Sequence, residues 1–228
     1  MDIIIPMIDG RGKVDSLDIR ERAIECVALI VAAVGKENFA VHQQEVMNVV
    51  TELVEAELPP DDPRTTAFPV FWSNVAGTLG EDLKPYLDRI LPHLLRAAVR
   101  QPNIRMFIDG GFETASVKVK EGAFNMLYWI ARSNPKAIQP HISQILPICL
   151  DSLNFDLDRA LTSVSLNTMC SMLEIISRTE EPATVQATAR QIYHALVEAV
   201  MHQRNEVYVA KLDSLCKVST FPSSITIS

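Results

Sequence analysis

PYLDRILPHLL (85–95) and PHISQILPICL (140–150) share five of eleven residues, both prolines included, at a separation of 55 residues. Two apolar stripes at helical spacing in a chain of 228 residues raise the question of an internal repeat. Apolar residues recur at that spacing almost throughout. They predict a partial helix at 2–8 and helices at 17–34, 38–57, 64–79, 84–99, 118–133, 137–154, 158–177, 183–202 and 205–217. The breakers Gly35, Pro59-Pro60, Gly80, Asn134-Pro135 and Pro182 fall between them. Short connections between amphipathic helices of similar length imply antiparallel pairs.

A basic residue followed three positions later by a small one opens every first helix: Arg20/Ala23, Arg64/Ala67, Lys120/Ala123 and Arg159/Thr162. The intervals are 44, 56 and 39 residues. Without the long connection RQPNIRMFIDGGFETASV (100–117), the period is about 40–47, that of HEAT or armadillo units. The expected fold is all-α, an α-solenoid of four to five HEAT repeats. The repeats are placed at 17–58, 62–99, 118–154 and 157–202, a further one starts at 205–217, and the insertion is 100–117. The small residues allow close helix approach, and stacking buries faces too apolar to stand alone. Asp62-Pro63-Arg64 fits N-cap and N1 chemistry. Pro92 and Pro147, mid-helix, each remove a backbone donor and should bend their helices. A compact, non-repeating bundle is the alternative.

Composition excludes several functions. The net charge is −7 and the pI near 5.3, which argues against a nucleic-acid footprint. Cys26, Cys149, Cys170 and Cys216 lie in apolar helical patterns without CxxC spacing, so buried free thiols are expected. MDIIIPMI is too short for a signal core, and no run of 18 apolar residues occurs.

IECVALIVAAVGKENF (24–39) resembles a string found in importin-beta-like karyopherins of the importin-five type. DDPRTTAFPVFWSNVAGTLGEDLKPYL (61–87), FIDGG (107–111) and VKEGAFNML (119–127) resemble, in the same order, the family's acidic turn, tryptophan-bearing helix and following loop and helix. The likeness covers about 15–180. It implies a right-handed superhelix segment and a non-catalytic nuclear transport receptor moving between cytoplasm and nucleus through the pore. The implied partners are basic cargo such as ribosomal proteins and histones, with Ran-GTP and phenylalanine-glycine nucleoporins for the whole protein. No membrane partner, nucleic acid or cofactor is implied, and a monomer is expected. The family is several times longer, so a fragment of the central repeats is expected. The family's acidic connection keeps only Asp109 and Glu113.

No GxSxG, P-loop, HExxH, GxGxxG or paired CxxC motif points to an enzyme. His42, His93, His141, His194 and His202 all fall on second helices. His42 has Glu45 nearby and His194 has Glu198, too few ligands for a metal site. Asp156 and Asp158 read as helix caps. Trp72, Tyr128 and Trp129 are expected in the core. The candidate cargo surface is the polar side of the second helices: Gln44, Asn48, Glu52 and Glu55, then Asp88 with His93 and Arg96, then Gln144 and Asp151, then Gln191, His194 and Glu198. Steps of three and four place the first set on one helix face, where carboxylates and amides can pair with lysine or arginine. A solvated helix face is the plain alternative. A HEAT scaffold or regulatory subunit of another complex, gripping a globular partner through its turns, is the rival function. The polar tail STFPSSITIS reads as disordered.

Overall fold

The computed structural model describes residues 1, 3–12, 15–59, 61–100, 105–106, 112–113, 115–154 and 159–201. Asp109, Asp156, Asp158, His202, Cys216, the helix expected at 205–217 and the tail lie outside them. The chain divides into two bodies, Met1–Ala137 and Ile138–Ser228.

The first body holds α1 (Ile4–Asp9), α2 (Leu17–Glu55), α3 (Arg64–Leu79), α4 (Lys84–Val99) and α5 (Ala115–Ser133). The two helices expected at 17–34 and 38–57 are one element broken at Gly35, where φ 75° and ψ 173° interrupt the helix. Only glycine reaches that backbone region cheaply, so one residue replaces the gap expected between 34 and 38. Gly80, at φ 55°, ends α3 in the same way.

The turns are linked in a row. Lys36 pairs with Asp82 at 3.0 Å, and Lys136 with Glu81 at 3.3 Å. The third turn carries Asn134 in place of glycine. Its amide donates to the Gly80 carbonyl, while its oxygen accepts from the Ala137 N–H at 3.3 Å. Asn134 thus caps α6 (Pro135–Ile138), with Pro135 at the first helical position. Asp62 does the same for α3. Its Oδ1 accepts from the Arg64 N–H at 3.0 Å, with Pro63 next in line.

The first helices stack through small residues. Ala23, Ala67 and Ala123 are buried. A Cβ on Gly122 would lie 3.7 Å from Pro69, and one on Gly77 3.8 Å from Ser133, so α3 and α5 run side by side in the same direction. Phe71, Trp72 and Phe124 fill the space between helices, with Phe71 and Trp72 edge to face at 5.4 Å. Pro92 lies inside α4 on its exposed side, and Pro69 is a further internal proline in α3. In the long connection, Arg105–Met106 pairs antiparallel with Phe112–Glu113, a two-residue ribbon.

The second body holds α7 (Ile142–Asp151), α8 (Arg159–Thr179) and α9 (Pro182–Met201). α8 packs against both α7 and α9. It is buried nearly all round, from Leu161 to Ile176, and includes Thr162, Ser165, Thr168 and Ser171. Two of these hydroxyls donate to carbonyls: Thr168 to Val164 at 2.8 Å, and Ser165 to Cys149 of α7 at 3.2 Å. Pro147 sits inside α7, again on the exposed side.

Two expectations about burial are corrected. Cys26 is exposed, because it falls beside rather than within the stripe Ala23, Ile24, Val27, Ala28. Trp129 is 42% exposed: α5 turns Phe124, Leu127 and Ile130 inward, and its neighbour on the ring of the helix faces out. Tyr128 is half-buried, 5.1 Å from the Trp129 ring and under the Arg132 guanidinium.

Candidate functional site

The polar face is built by the second arm of α2 (36–55) together with α4. On that arm Val46, Met47, Val50 and Val54 are buried, so the helical period turns Gln44, Asn48, Glu52 and Glu55 toward the other side. Gln44 and Glu52 are exposed; Asn48 and Glu55 are half-buried. On α4, Leu87, Ile90, Leu91, Leu94 and Ala98 are buried, which leaves Asp88, Arg89 and Arg96 exposed.

Ion pairs tie the two helices together. Arg89 holds Glu55 with two hydrogen bonds, Nε to Oε1 at 2.8 Å and Nη2 to Oε2 at 2.7 Å, and its Nη1 reaches Asn48 Oδ1 at 3.4 Å. These bonds hold the Glu55 carboxyl below the usual carboxylate range. Arg96 binds Glu57 at 2.7 Å and lies 2.9 Å from His93 Nδ1, and the same Glu57 is 3.2 Å from His93. Hydrogen bonding from Arg96 lowers the Glu57 pKa as well. Asp88 pairs with Lys84 at 2.8 Å, and Glu45 with Arg11 at 3.4 Å. Among the described residues, the side chains of Gln44 and Glu52 make no hydrogen bond or ion pair.

Two hollows flank this row. A polar cleft of about 460 Å³ lies between Gln43, Gln44 and Asn48 on one wall and Tyr86 and Arg89 on the other. An apolar groove of about 610 Å³ is lined by Leu58, Phe68, Leu94, Val99, Ala123 and Met126, with Glu57, His93, Arg96 and Arg100 among its polar residues. Sequence reasoning missed this groove. Its signal was Leu58, Leu95 and Val99, apolar residues beside the main stripes.

In the second body, Gln144 and Asp151 are exposed on α7, and Gln191, His194 and Glu198 are exposed on α9. Tyr193 and His194 stand edge to face at 6.1 Å. The Cys149 thiol is fully buried, and burial pushes its pKa up, so it is held as the thiol. Among the described residues, no three or more His, Cys, Asp or Glu side chains are grouped to hold a metal ion. No described helix is long and apolar enough to cross a membrane.

No family model matches the chain. Importin subunit beta-3 of Saccharomyces cerevisiae is 32% identical over 100 residues, 42% of this chain and 9% of that protein. A probable importin-5 homolog of Dictyostelium discoideum is 24% identical over 182 residues, 77% of this chain and 17% of that protein. The chain therefore spans less than a fifth of the curated relatives it matches. The crystal structure of Kap121p superposes on 96% of this chain and 23% of its own, with TM-score 0.74 and 20% identity. Kap121p has also been solved bound to Pho4p, to Nup53p and to RanGTP. At this identity the likeness establishes the fold alone: an all-α solenoid like the matching part of Kap121p.

Proposed function

We infer that this chain, importin-beta-like in sequence and in fold, is the cargo-binding part of a nuclear transport receptor and acts by binding, without catalysis. Basic cargo of the ribosomal-protein or histone kind, carrying an extended lysine-rich signal, is the proposed ligand. The observation that carries this reading is the polar cleft beside Glu52. Gln43, Gln44 and Asn48 offer amides to an extended backbone, and the exposed carboxylate of Glu52 lies one helical turn beyond Asn48. Carboxylates and amides on a regular helix face can read a run of lysines by charge-assisted hydrogen bonds. Asp88 on α4 belongs to the same proposed surface; Gln144, Asp151 and Glu198 are proposed as cargo contacts within the second body.

The partners follow the same reading. Kap121p binds Pho4p, Nup53p and RanGTP in its solved complexes. For the protein that contains this chain we propose cargo, nucleoporin and Ran-GTP as ligands, and passage between cytoplasm and nucleus as its setting.

The test is titration of the chain against a fluorescent lysine-rich peptide at several salt concentrations. Binding that weakens steadily as salt rises is the expected result. Absence of binding at low ionic strength would overturn the cargo reading. Capture of a globular catalytic subunit, with no affinity for basic peptides, would favour a regulatory HEAT scaffold instead.

A further inference from the structure

We propose that Arg89 is an internal stand-in for a cargo cation, and that by occupying Glu55 and Asn48 it determines how strongly and how selectively this face binds basic peptides. The inference rests on the basic-cargo reading above. It begins with an asymmetry on one helix face. Asn48, Glu52 and Glu55 share that face, but their states differ. Glu55 is held in a two-bond fork by Arg89, and Asn48 is touched by the third nitrogen of the same guanidinium. Glu52 is exposed and feels Arg89 only through its charge.

Arg89 comes from α4, across the cleft, and lines the cleft wall. Its planar fork on Glu55 is the geometry an incoming arginine would also need to adopt there. An incoming lysine therefore meets one open carboxylate, Glu52, and one closed one, Glu55. The closed one resists a lysine ammonium. A guanidinium satisfies both carboxylate oxygens with a planar fork, whereas an ammonium is a point donor that cannot match both at once. The two carboxylates and one guanidinium leave a local charge of one negative unit, so the face still attracts a cation. The pair is partly exposed, 40% for Arg89 and 32% for Glu55, so it adds little to folding and remains within reach of a competing ligand.

The experiment measures the affinity of the same lysine-rich peptide for the full chain and for R89A, R89K, E52Q and the double variant R89A/E55Q. Freeing Glu55 in R89A should tighten binding about two- to fivefold, the scale of one exposed ion pair, and steepen its salt dependence. R89K should fall between wild type and R89A, because the charge remains and the fork is lost. R89A/E55Q should return to wild-type affinity, and E52Q should weaken it. Thermal melts establish folding; if R89A does not fold, R89M, which keeps the aliphatic stem, carries the same expectation. Wild-type binding that R89A leaves unchanged or weakens overturns the role of Arg89 alone. Failure of every protein to bind at low salt overturns the basic-cargo reading, and this inference with it.

Discussion

α3 and α4 are both sixteen residues long and follow one another in the chain, yet they are used differently. α3 packs against α2 on one side and α5 on the other, and buries Ala67, Phe68, Phe71, Trp72, Val75, Ala76 and Leu79. α4 buries one stripe and gives its other face to Lys84, Asp88, Arg89 and Arg96. The difference lies in how much of each helix is covered and in what the sequence places on the remainder. Both helices contact α2 and α5, but α3 leaves only a narrow uncharged strip exposed (Thr66, Val70 and Gly77), while α4 keeps a wider face that carries charge. Stability should therefore concentrate in α3 and ligand chemistry in α4 and the second arm of α2.

The largest expected effect is at Trp72. Its ring is fully buried between helices. Trp72→Ala should cost about 3–5 kcal/mol of unfolding free energy, read by urea denaturation. Trp72→Phe should cost less, since it also removes an indole N–H that finds no acceptor in the structure. A loss under about 1 kcal/mol for the alanine variant would break the contrast between the two helices.

Next is Asp62, which begins α3. Its carboxylate accepts from the Arg64 backbone and grips the Arg64 side chain at 2.9 and 2.6 Å, and its side chain is only 5% exposed. Asp62→Ala should cost about 2–4 kcal/mol, combining a lost cap with an arginine left without its partner. Hydrogen bonding from Arg64 lowers the Asp62 pKa. Its contribution is fully present above the unfolded value, about 3.9, and is lost as pH falls through the lower folded value. Acid unfolding below about pH 4 should thus be less steep in Asp62→Asn. An unchanged acid limb would remove the cap from the account.

Much of this contrast was legible beforehand. The repeat spacing, the Asp-Pro start, and the glycine and Asn-Pro breaks are local chemistry, and periodicity places Gln44, Asn48, Glu52 and Glu55 on one face. What the sequence did not show is which of those groups are already engaged. Arg89 lies 34 positions from Glu55, and only the side-by-side path of two helices brings the guanidinium onto the carboxylate. The turn row has the same origin: Lys36 meets Asp82 and Asn134 meets Gly80 only because neighbouring pairs stack in register. Trp129 and Cys26 were misplaced for a related reason. An apolar window tells that a helix is buried, but a residue one step off its stripe faces out.

Smaller still is the Arg89–Glu55 pair as a contributor to folding. A double-mutant cycle on unfolding free energy should give about 0.2–1 kcal/mol, because both side chains stay partly in water. A coupling several times larger would make the pair a structural tie and would weaken the separation between fold and binding face.

The smallest effect on stability, and the sharpest contrast, belongs to Glu52. Its side chain is exposed and makes no hydrogen bond or ion pair among the described residues. Glu52→Gln keeps size and helix propensity and removes one charge. Unfolding free energy should move by no more than about 0.5 kcal/mol, the usual range for a surface change. Affinity for a lysine-rich peptide should nevertheless fall, and the salt dependence should flatten, since the open carboxylate of the face is gone. Two proteins of equal stability and unequal affinity would locate binding on the second helices. Equal affinity would return Glu52 to the ordinary solvated surface, and the contrast between α3 and α4 would then be one of packing alone.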